Sequence, residues 1–272
     1  MSSQVTLKQI ANELGLSAMT VSRAINNKAN VDEKTRERVL ATANKMGYTP
    51  NHVAKSLVSN KTNTIGVVIP EISHAFFPEV VQGIEEVTYS ANYQLILTHS
   101  AEQFERERNA ILTLRSQRVD GMLVSSCQSK KDFSLYKDVI EAGIPLVFFD
   151  RCIENIGASS VRVNDRESSR KGTEHLISHG YKKIAHISGP IKVSIGLERY
   201  HGYLEAMEAA GLSVNKNWVV ESGFQERGGY LAMQKLLELP EDVLPRAVMA
   251  VNDPAAFGAM EAVYEHGLRI PR

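Results

Sequence analysis

The sequence predicts a multi-domain protein in which a small all-α helix-turn-helix unit precedes a larger α/β domain with two lobes. Three observations support this prediction. Three short helices, each with its own start signal, fit within the first 50 residues. From residue 64 onward, eight short apolar strands alternate with amphipathic helices. Residues 1–61 carry nine Lys and Arg against four Asp and Glu, whereas the remainder carries 22 against 27.

Capping residues mark the three helices of the first unit. Thr6 with Gln9 three residues later forms a capping box, Ser17 precedes the second helix, and Asp32 precedes the third. Gly47 follows the third helix, where a left-handed residue commonly ends the element. These signals place three helices within about 45 residues.

The join between the first two helices has the spacing of a helix-turn-helix. Ala11 is the small residue where the helices touch, Gly15 lies in the turn, and Val21 seals the second helix onto the first. The positive charge of this part favours a polyanion partner, and double-stranded DNA is the partner that a helix-turn-helix reads.

The second of these helices, residues 17–26 (SAMTVSRAIN), is expected to face the major groove of DNA. Arg23 suits a bidentate pair with guanine, and Ala18 and Met19 suit apolar contacts with bases. A merely solvated helix face is the alternative reading. Hydroxyl and amide groups that suit phosphate contacts come from Ser17, Thr20 and Asn26.

Residues 51–59 are predicted to form two helical turns that order only on binding, because isolated helices of this length are marginal in water. Leu57 lies among polar residues such as Lys55, which suits an apolar wedge at a minor-groove step. An ordinary linker leucine is the alternative.

Four stretches, Thr6-Leu7, GLSAMTVSRAIN, TRERVLATANKMGYTPN and VAKSLVSNKTNTIGVVIP, resemble the headpiece, hinge and first strand of the lactose-repressor (LacI/GalR) family of bacterial transcription regulators. The resemblance implies base reading by Ala18, Met19 and Arg23, and minor-groove contact by Lys55 and Leu57. Some relatives have lysine where this chain has Val58. The backbone-contacting residues implied are Thr6, Ser17, Thr20, Asn26, Thr35 and Tyr48.

The rest of the chain alternates continuous apolar strands with amphipathic helices, which is typical of buried parallel sheets. The chain is expected to cross between two lobes near residues 158–165. The predicted strands are 65–70, 94–98, 121–126, 145–150, 160–164, 183–188, 218–222 and 247–251. The predicted helices are 77–90, 103–117, 165–179, 198–210, 226–238 and 254–266.

Ligands of such folds bind beyond the carboxyl ends of the strands, so residues there are the candidates for a small-molecule site. Together they offer an apolar wall, a carboxylate, a guanidinium and an amide, which suit a sugar-like ligand. Taken singly, each of these residues can also be explained as a helix cap. For Asp253, which precedes PAAFGAM, the cap and the ligand contact are equally good explanations. The candidates are Ile72, Ser73, Phe76, Asp150, Arg199, Asn252 and Asp253.

The family resemblance favours Asp150, Arg199 and Asn252 as effector-binding residues, since relatives hold their effector at these positions. Purine-binding relatives have another arginine six residues before Arg199, where this chain has Val193, so an anionic nucleobase is disfavoured. The resemblance also implies a periplasmic-binding-protein-like effector domain. The expected domains are a headpiece at 1–50, a hinge at 51–62 and an effector and dimerisation domain at 63–272, with lobes at about 63–160 and 161–272.

The second lobe is expected to be incomplete, because it shows three strands and ends at GLRIPR, whereas relatives continue past that point. No apolar run reaches the roughly 20 residues of a membrane span, and no signal peptide is visible, so a bacterial cytoplasmic protein is expected. Metal and cofactor sites are not expected: Cys127 and Cys152 lack ligand spacing, and His175 with His179 lacks a third ligand.

The sequence therefore predicts a DNA-binding transcriptional regulator, in the sense of a repressor, that binds a pseudo-palindromic operator as a homodimer under control of a small-molecule effector. One alternative is a regulator of the same fold controlled by a protein partner, for which the charged helix EQFERERNAILTLRSQ is a candidate surface. A solute-binding protein of a transport system is another, and an enzyme is disfavoured because no nucleophile and base can be paired.

Overall fold

The structure is a computed structural model that describes residues 5–49, 61–73, 76–128 and 133–271. The chain divides into two units, Met1–Thr62 and Asn63–Arg272. The predicted hinge helix at 51–59, with Lys55 and Leu57, lies outside the described residues.

The first unit contains α1 (Leu7–Leu14), α2 (Ala18–Ile25) and α3 (Glu33–Met46). The predicted caps are confirmed. The capping box at Thr6 has both of its hydrogen bonds, and the side chains of Ser17 and Asp32 accept from the amides of Thr20 and Thr35. Gly15 and Gly47 end α1 and α3 with φ of 67° and 69°, which is the left-handed region.

A small apolar core joins the three helices, and Ala11 and Val21 lie in it as the helix-turn-helix spacing predicts. Arg36 of α3 supports the loop that follows α2. Its guanidinium donates to the carbonyl oxygens of Ala24 at 3.4 Å, Lys28 at 3.2 Å and Val31 at 3.3 Å. The end of α2 is therefore fixed to α3 by one side chain.

The first lobe of the second unit is a five-stranded parallel sheet in the order β2-β1-β3-β4-β5. Its two faces are covered by separate apolar clusters, one around Phe148 and Leu114 and the other around Phe77 and Phe149. The strands are β1 (Thr64–Ile69), β2 (Gln94–His99), β3 (Gly121–Val124), β4 (Leu146–Phe149) and β5 (Ser159–Val161). The helices are α4 (Phe76–Ser90), α5 (Phe104–Ser116) and α6 (Ser134–Glu141).

The second lobe is a three-stranded parallel sheet in the order β7-β6-β8. Trp218 and Leu236 lie in the cluster on one face, and Tyr203 and Met207 in that on the other. The strands are β6 (Ile184–Ser188), β7 (Val219–Glu221) and β8 (Ala247–Ala250). The helices are α7 (Asp165–Ser178), α8 (Ser194–Ala209), α9 (Glu226–Leu237) and α10 (Asp253–Glu265).

Helices α9 and α10 pack with their backbones in direct contact. A Cβ atom added to Gly229 would lie 2.0 Å from the carbonyl oxygen of Ala255, and one added to Gly258 would lie 1.9 Å from that of Glu226. These glycines are required because any side chain would force the helices apart.

Every predicted strand is present, with small differences in its ends. Trp218, predicted to begin a strand, lies instead in a 3-10 turn (Lys216–Trp218), where its indole Nε1 donates to the carbonyl of Val243 at 2.7 Å. Helix α8 begins at Ser194 and not at 198, and α6 had no counterpart in the prediction. Within the described ranges, no helix is long and apolar enough to cross a membrane.

Candidate functional site

The first candidate site is the outer surface of α2. Met19 is 64% exposed and Arg23 is exposed, so both are free to meet base edges. Ala18 is half-buried and packs against the three-helix core, so part of its methyl group is used for packing. Met19 and Arg23, the two long side chains predicted to read bases, are therefore exposed on α2. Ala18, the third, is partly covered by the three-helix core.

The predicted phosphate-contacting groups lie around the ends of α1 and α2. The hydroxyls of Ser17 and Thr20 lie 2.9 Å apart, and Thr20 donates its amide to the Ser17 oxygen. The Thr6 hydroxyl bonds Gln9, and the amide of Asn26 donates to the carbonyl of Ser22 at 2.8 Å. The N-terminal end of a helix attracts phosphate, which suits the placement of Ser17 and Thr20.

Two further residues of this set lie on or near α3. Thr35 is half-buried, and its hydrogen bonds to Asp32 lower the pKa of that carboxyl. Tyr48 follows the helix and packs its ring partly against the three-helix core. Lys55 and Leu57, the minor-groove candidates, lie outside the described residues.

The second candidate site lies at the carboxyl ends of the strands in the second unit. Asp150, directly after β4, has a φ of 58°, and its amide donates to the carbonyl of Val161 at 3.0 Å. The hydroxyl of Ser125, directly after β3, lies 3.5 Å from Asp150 Oδ2. Burial raises the pKa of the Asp150 carboxyl, and the guanidinium groups of Arg151 and Arg199 offset this only in part.

Arg199 enters the site from α8 of the second lobe. Its Nε donates to Asp165 Oδ1 at 2.8 Å, and its Nη1 donates to the carbonyl of Val251 at 2.6 Å. Asp165 is the first residue of α7, and Val251 directly follows β8. One guanidinium therefore ties α7 and α8 to the carboxyl end of β8.

Arg151 is a functional candidate that sequence reasoning missed. It is 2% exposed, its Nη1 donates to Glu102 Oε2 at 2.6 Å, and its Cζ lies 4.7 Å from the ring centroid of Phe224. Within the described part of the chain, its Nε has no hydrogen-bond partner. Because Arg151 belongs to the first lobe and Phe224 to the second, this cation–π contact spans the cleft between the lobes.

Asn252 and Asp253, two of the predicted effector residues, differ from each other in their contacts. The residue that caps α10 is Asn252 and not Asp253: its Oδ1 accepts from the amide of Ala255 at 3.0 Å, and its Nδ2 donates to the carbonyl of Phe224 at 3.0 Å. Asp253 is the exposed first residue of the helix. The Asn252 amide therefore positions Phe224 at the cleft, since it holds that residue's backbone.

Ile72, Ser73 and Phe76 follow β1 and are all exposed, Ile72 to 56% and Phe76 to 51%. The Ser73 hydroxyl donates to Glu71 Oε2 at 2.6 Å. The Phe76 ring packs edge-on against Phe77, which in turn packs against Phe149 beside Asp150. Ile72 lines a shallow groove of about 520 Å³ together with residues of α4 and β2.

His186 of β6 is fully buried near Arg199. Its Nδ1 lies 2.9 Å from the carbonyl of Met249, so Nδ1 carries the proton, and the ring stacks on Tyr203 and Tyr200. Burial lowers the pKa of this imidazole to about 4, and the charge of Arg199 acts in the same direction. The side chain is therefore neutral at physiological pH.

Phe224, Asp165, Ser125 and Arg151 were absent from the sequence-based set, although three of them follow a strand directly or closely. Phe224 follows β7 as Asn252 follows β8. Ligands of this fold bind beyond the carboxyl ends of the strands. Phe224 and Ser125 would have been candidates if the residues at the end of every predicted strand had been considered. Asp165 and the Arg151–Glu102 pair depend on tertiary contacts that spacing does not reveal.

Comparison with known proteins finds a matching family model for each of the two units. The family model described as "Bacterial regulatory proteins, lacI family" matches residues 6–51. The model described as "Periplasmic binding proteins and sugar binding domain of LacI family" matches residues 62–272. The two matches cover the helix-turn-helix unit and the two-lobed unit in turn.

The HTH-type transcriptional repressor PurR of Pasteurella multocida is 35% identical over 266 residues, which cover 98% of this chain and 79% of that protein. Among solved structures, the Lac repressor dimer bound to operator and the anti-inducer ONPF matches with a TM-score of 0.85 at 26% identity, over 98% of this chain and 80% of that one. The complex of the transcriptional regulator CelR with cellobiose matches with a TM-score of 0.66 at 29% identity, over the same shares.

The similarity extends through both units of the chain, the helix-turn-helix and the two-lobed α/β fold. The similar proteins include relatives named as repressors. The chain therefore belongs to the LacI family, which is a family of DNA-binding transcriptional regulators and not of enzymes.

Proposed function

We propose that this regulator binds a two-fold symmetric operator as a homodimer and responds to a neutral, sugar-like effector held between its two lobes. In this proposal residues 1–50 read the operator, 51–62 form the hinge, and 63–272 bind effector and pair the subunits. Effector binding changes the spacing of the hinges, so effector and operator affinities are reciprocally linked. Such a regulator acts in the bacterial cytoplasm, where its operator lies.

The Asp150 carboxylate carries the effector part of the proposal. It is largely buried at the cleft. Among the described residues, its nearest hydrogen-bond donor is the Ser125 hydroxyl at 3.5 Å from Oδ2, and Arg151 Nε lies 3.8 Å from the same oxygen, so it has acceptor capacity to spare. Sugar hydroxyls donate to such a carboxylate, and a sugar's C–H face packs on an aromatic ring such as Phe224. The CelR relative, whose structure contains cellobiose, supports this ligand class.

A neutral ligand also fits the charges around the cleft. Arg199 is ion-paired with Asp165, and Arg151 is ion-paired with Glu102, so both guanidinium charges already have partners. Val193, at the position where an additional arginine would favour an anionic nucleobase, is buried and apolar. The cleft therefore offers an anion no unpaired positive charge among these residues.

Isothermal titration with neutral monosaccharides and disaccharides, and with nucleobases for comparison, tests the effector class. We expect a sugar to bind and Asp150→Asn to weaken it at least tenfold, because the neutral amide is a poorer acceptor. Asp138→Asn, an exposed substitution on α6, is the matched control and should bind normally. Binding of a nucleobase in preference to every sugar would contradict the proposal.

Selection of bound duplexes from a random DNA library tests the operator part. We expect enrichment of a two-fold symmetric site, lost when Arg23 is replaced by Ala.

If no sugar binds, capture of a protein partner by the charged exposed face of α5 would favour the alternative control mechanism. Loss of that capture when Arg108 and Arg115 are changed to Glu would identify α5 as the contact surface.

A further inference from the structure

Gln128 connects the two lobes through its side-chain amide. It follows β3 in the first lobe, and its Nε2 donates to the carbonyl of Cys152 in the same lobe at 2.9 Å. Its Oε1 accepts the amide of Ser194 from the second lobe at 2.7 Å. One side chain thus uses its donor on one lobe and its acceptor on the other.

The Ser194 amide has a specific need for this partner. Ser194 is the first residue of α8, and the first amides of a helix have no acceptor within the helix. The preceding residue, Val193, has no polar side chain with which to cap them. The other lobe therefore supplies a cap that α8 lacks, and this hydrogen bond breaks when the lobes separate.

The position of Gln128 is fixed from inside the first lobe. Buried Glu107 of α5 accepts the amide of Cys127 at 2.6 Å and the hydroxyl of Ser126 at 3.3 Å. The hydroxyl of Tyr136 donates to the same carboxylate, and the Gln128 amide donates to the Ser126 oxygen at 3.2 Å. This network holds Gln128 with a φ of 52°, a left-handed conformation that costs a residue other than glycine free energy.

We propose that Gln128 is an interlobe clasp that favours the closed arrangement of the lobes before any effector binds. Helix α8 also carries Arg199, so the clasp fixes the helix that presents this guanidinium to the cleft. The clasp itself does not depend on the identity of the effector, and only its consequence for ligand binding rests on the proposed function. A contact formed only in the closed state shifts the equilibrium toward that state by its own free energy.

Hydrogen exchange at single-residue resolution in the ligand-free, full chain tests the clasp. Gln128→Met keeps the side-chain length and removes both hydrogen bonds. We expect it to speed exchange at the Ser194 amide about fivefold, the factor that corresponds to a hydrogen bond of ordinary net strength. The Leu197 amide, which bonds the carbonyl of Val193 within α8, serves as the internal reference and should change little.

Two further variants complete the test. Gln128→Glu keeps the acceptor for Ser194 and should retain most of the protection, whereas exposed Gln117→Ala should leave it unchanged. Equal exchange at Ser194 in the wild type, Gln128→Met and Gln117→Ala would overturn the proposal. Loss of protection at both Ser194 and Leu197 in Gln128→Met would also overturn it, because α8 itself would then be unfolding.

The consequence for the ligand is measured separately. With a sugar that binds the wild type, we expect Gln128→Met to weaken affinity severalfold, because closure must then be driven by the ligand alone. Failure of every sugar to bind would contradict the proposed effector class and leave the exchange result standing. Loss of Ser194 protection together with unchanged sugar affinity would show that the clasp forms but does not influence closure, and would overturn the inference.

Discussion

Arg199 and Asp165 join the two helices that begin the second lobe. Both Nε and Nη2 of Arg199 lie 2.8 Å from Asp165 Oδ1, and Nη1 of the same guanidinium reaches the carbonyl of Val251. The hydroxyl of Ser169, one turn along α7, donates to the backbone carbonyl of Arg199 at 2.6 Å. The side chain that faces the cleft is therefore positioned by side-chain and backbone contacts together.

Substitution of Asp165 by Asn should destabilise the second unit. The change preserves shape but leaves the Arg199 charge without its partner, at a cost of about 3 kcal/mol. Urea unfolding should show a lower midpoint with an unchanged slope, and Asp138→Asn should match the wild type. A free energy of unfolding within about 0.5 kcal/mol of the wild type would show that the pair is not a structural anchor.

Asp150→Asn should have the opposite effect on the ligand-free protein. The raised pKa means that folded Asp150 binds its proton more tightly than the unfolded chain does, so stability falls as pH rises through the folded pKa. More of this penalty is present at neutral pH than in acid, and removing the charge should stabilise the protein by on the order of 1 kcal/mol. Thermal unfolding at pH 7 and pH 4 checks this, because the gain should be larger at pH 7.

His186 should make the stability of the protein depend on pH with the opposite sign to Asp150. Its folded pKa of about 4 lies below the ordinary value near 6.5, so the unfolded chain takes up a proton that the folded protein excludes. Stability from this group is complete above pH 6.5 and is lost as pH falls toward 4, by about 3 kcal/mol in total. Urea unfolding across this range should show the wild type losing stability relative to His186→Phe as pH falls, and a pH-independent difference between the two would contradict the assignment.

Arg23→Lys should separate base reading from charge. Lysine keeps the positive charge but cannot make the bidentate pair with guanine, so we expect a loss of about 1–3 kcal/mol on the selected operator and little on random DNA. The slope of affinity against salt should not change, because no charge is lost. Fluorescence anisotropy at two salt concentrations measures both quantities, with Arg38→Lys on α3 as the control. An equal loss on all sequences would make Arg23 a phosphate contact.

Gly229→Ala should disrupt the contact between α9 and α10, because the added methyl meets a carbonyl oxygen at 2.0 Å. We expect destabilisation of about 2–3 kcal/mol by overpacking. Gly83 lies within α4, where an added Cβ meets nothing within 4 Å, so Gly83→Ala should stabilise the chain by up to about 1 kcal/mol. Differential scanning calorimetry should therefore show opposite shifts for the two substitutions.

Local chemistry allowed the headpiece to be predicted almost completely. The capping box at Thr6 and the glycines at 15 and 47 are decided by residues within one turn, so the sequence carries them in full. The apolar strands were equally clear, because parallel strands buried on both faces have few polar interruptions. Helix α6 was missed because it is only eight residues long and no side-chain cap marks its start.

The cleft was predicted only in part, because its side chains are defined by partners far along the chain. Asp150 and Arg199 follow recognisable strand ends, but the partner of Arg199 lies 34 residues away and that of Arg151 lies 49 residues away. The alternative interpretation of Asp253 as the cap of α10 is corrected by one position, because Asn252 caps that helix. Asn252 and Asp253 are adjacent and both are good caps, and the position of β8 decides between them.

The Arg36 contacts involve none of the exposed side chains of α2 that we propose read DNA. The guanidinium holds the carbonyl oxygen of Ala24 and two carbonyl oxygens of the loop after α2, whereas the side chains of Met19 and Arg23 are exposed. Substitutions at those exposed positions remove no contact on which the three-helix core depends. A new operator preference can therefore arise by exchange of surface residues without a stability threshold to cross, so this framework can diversify its targets while its fold stays constant.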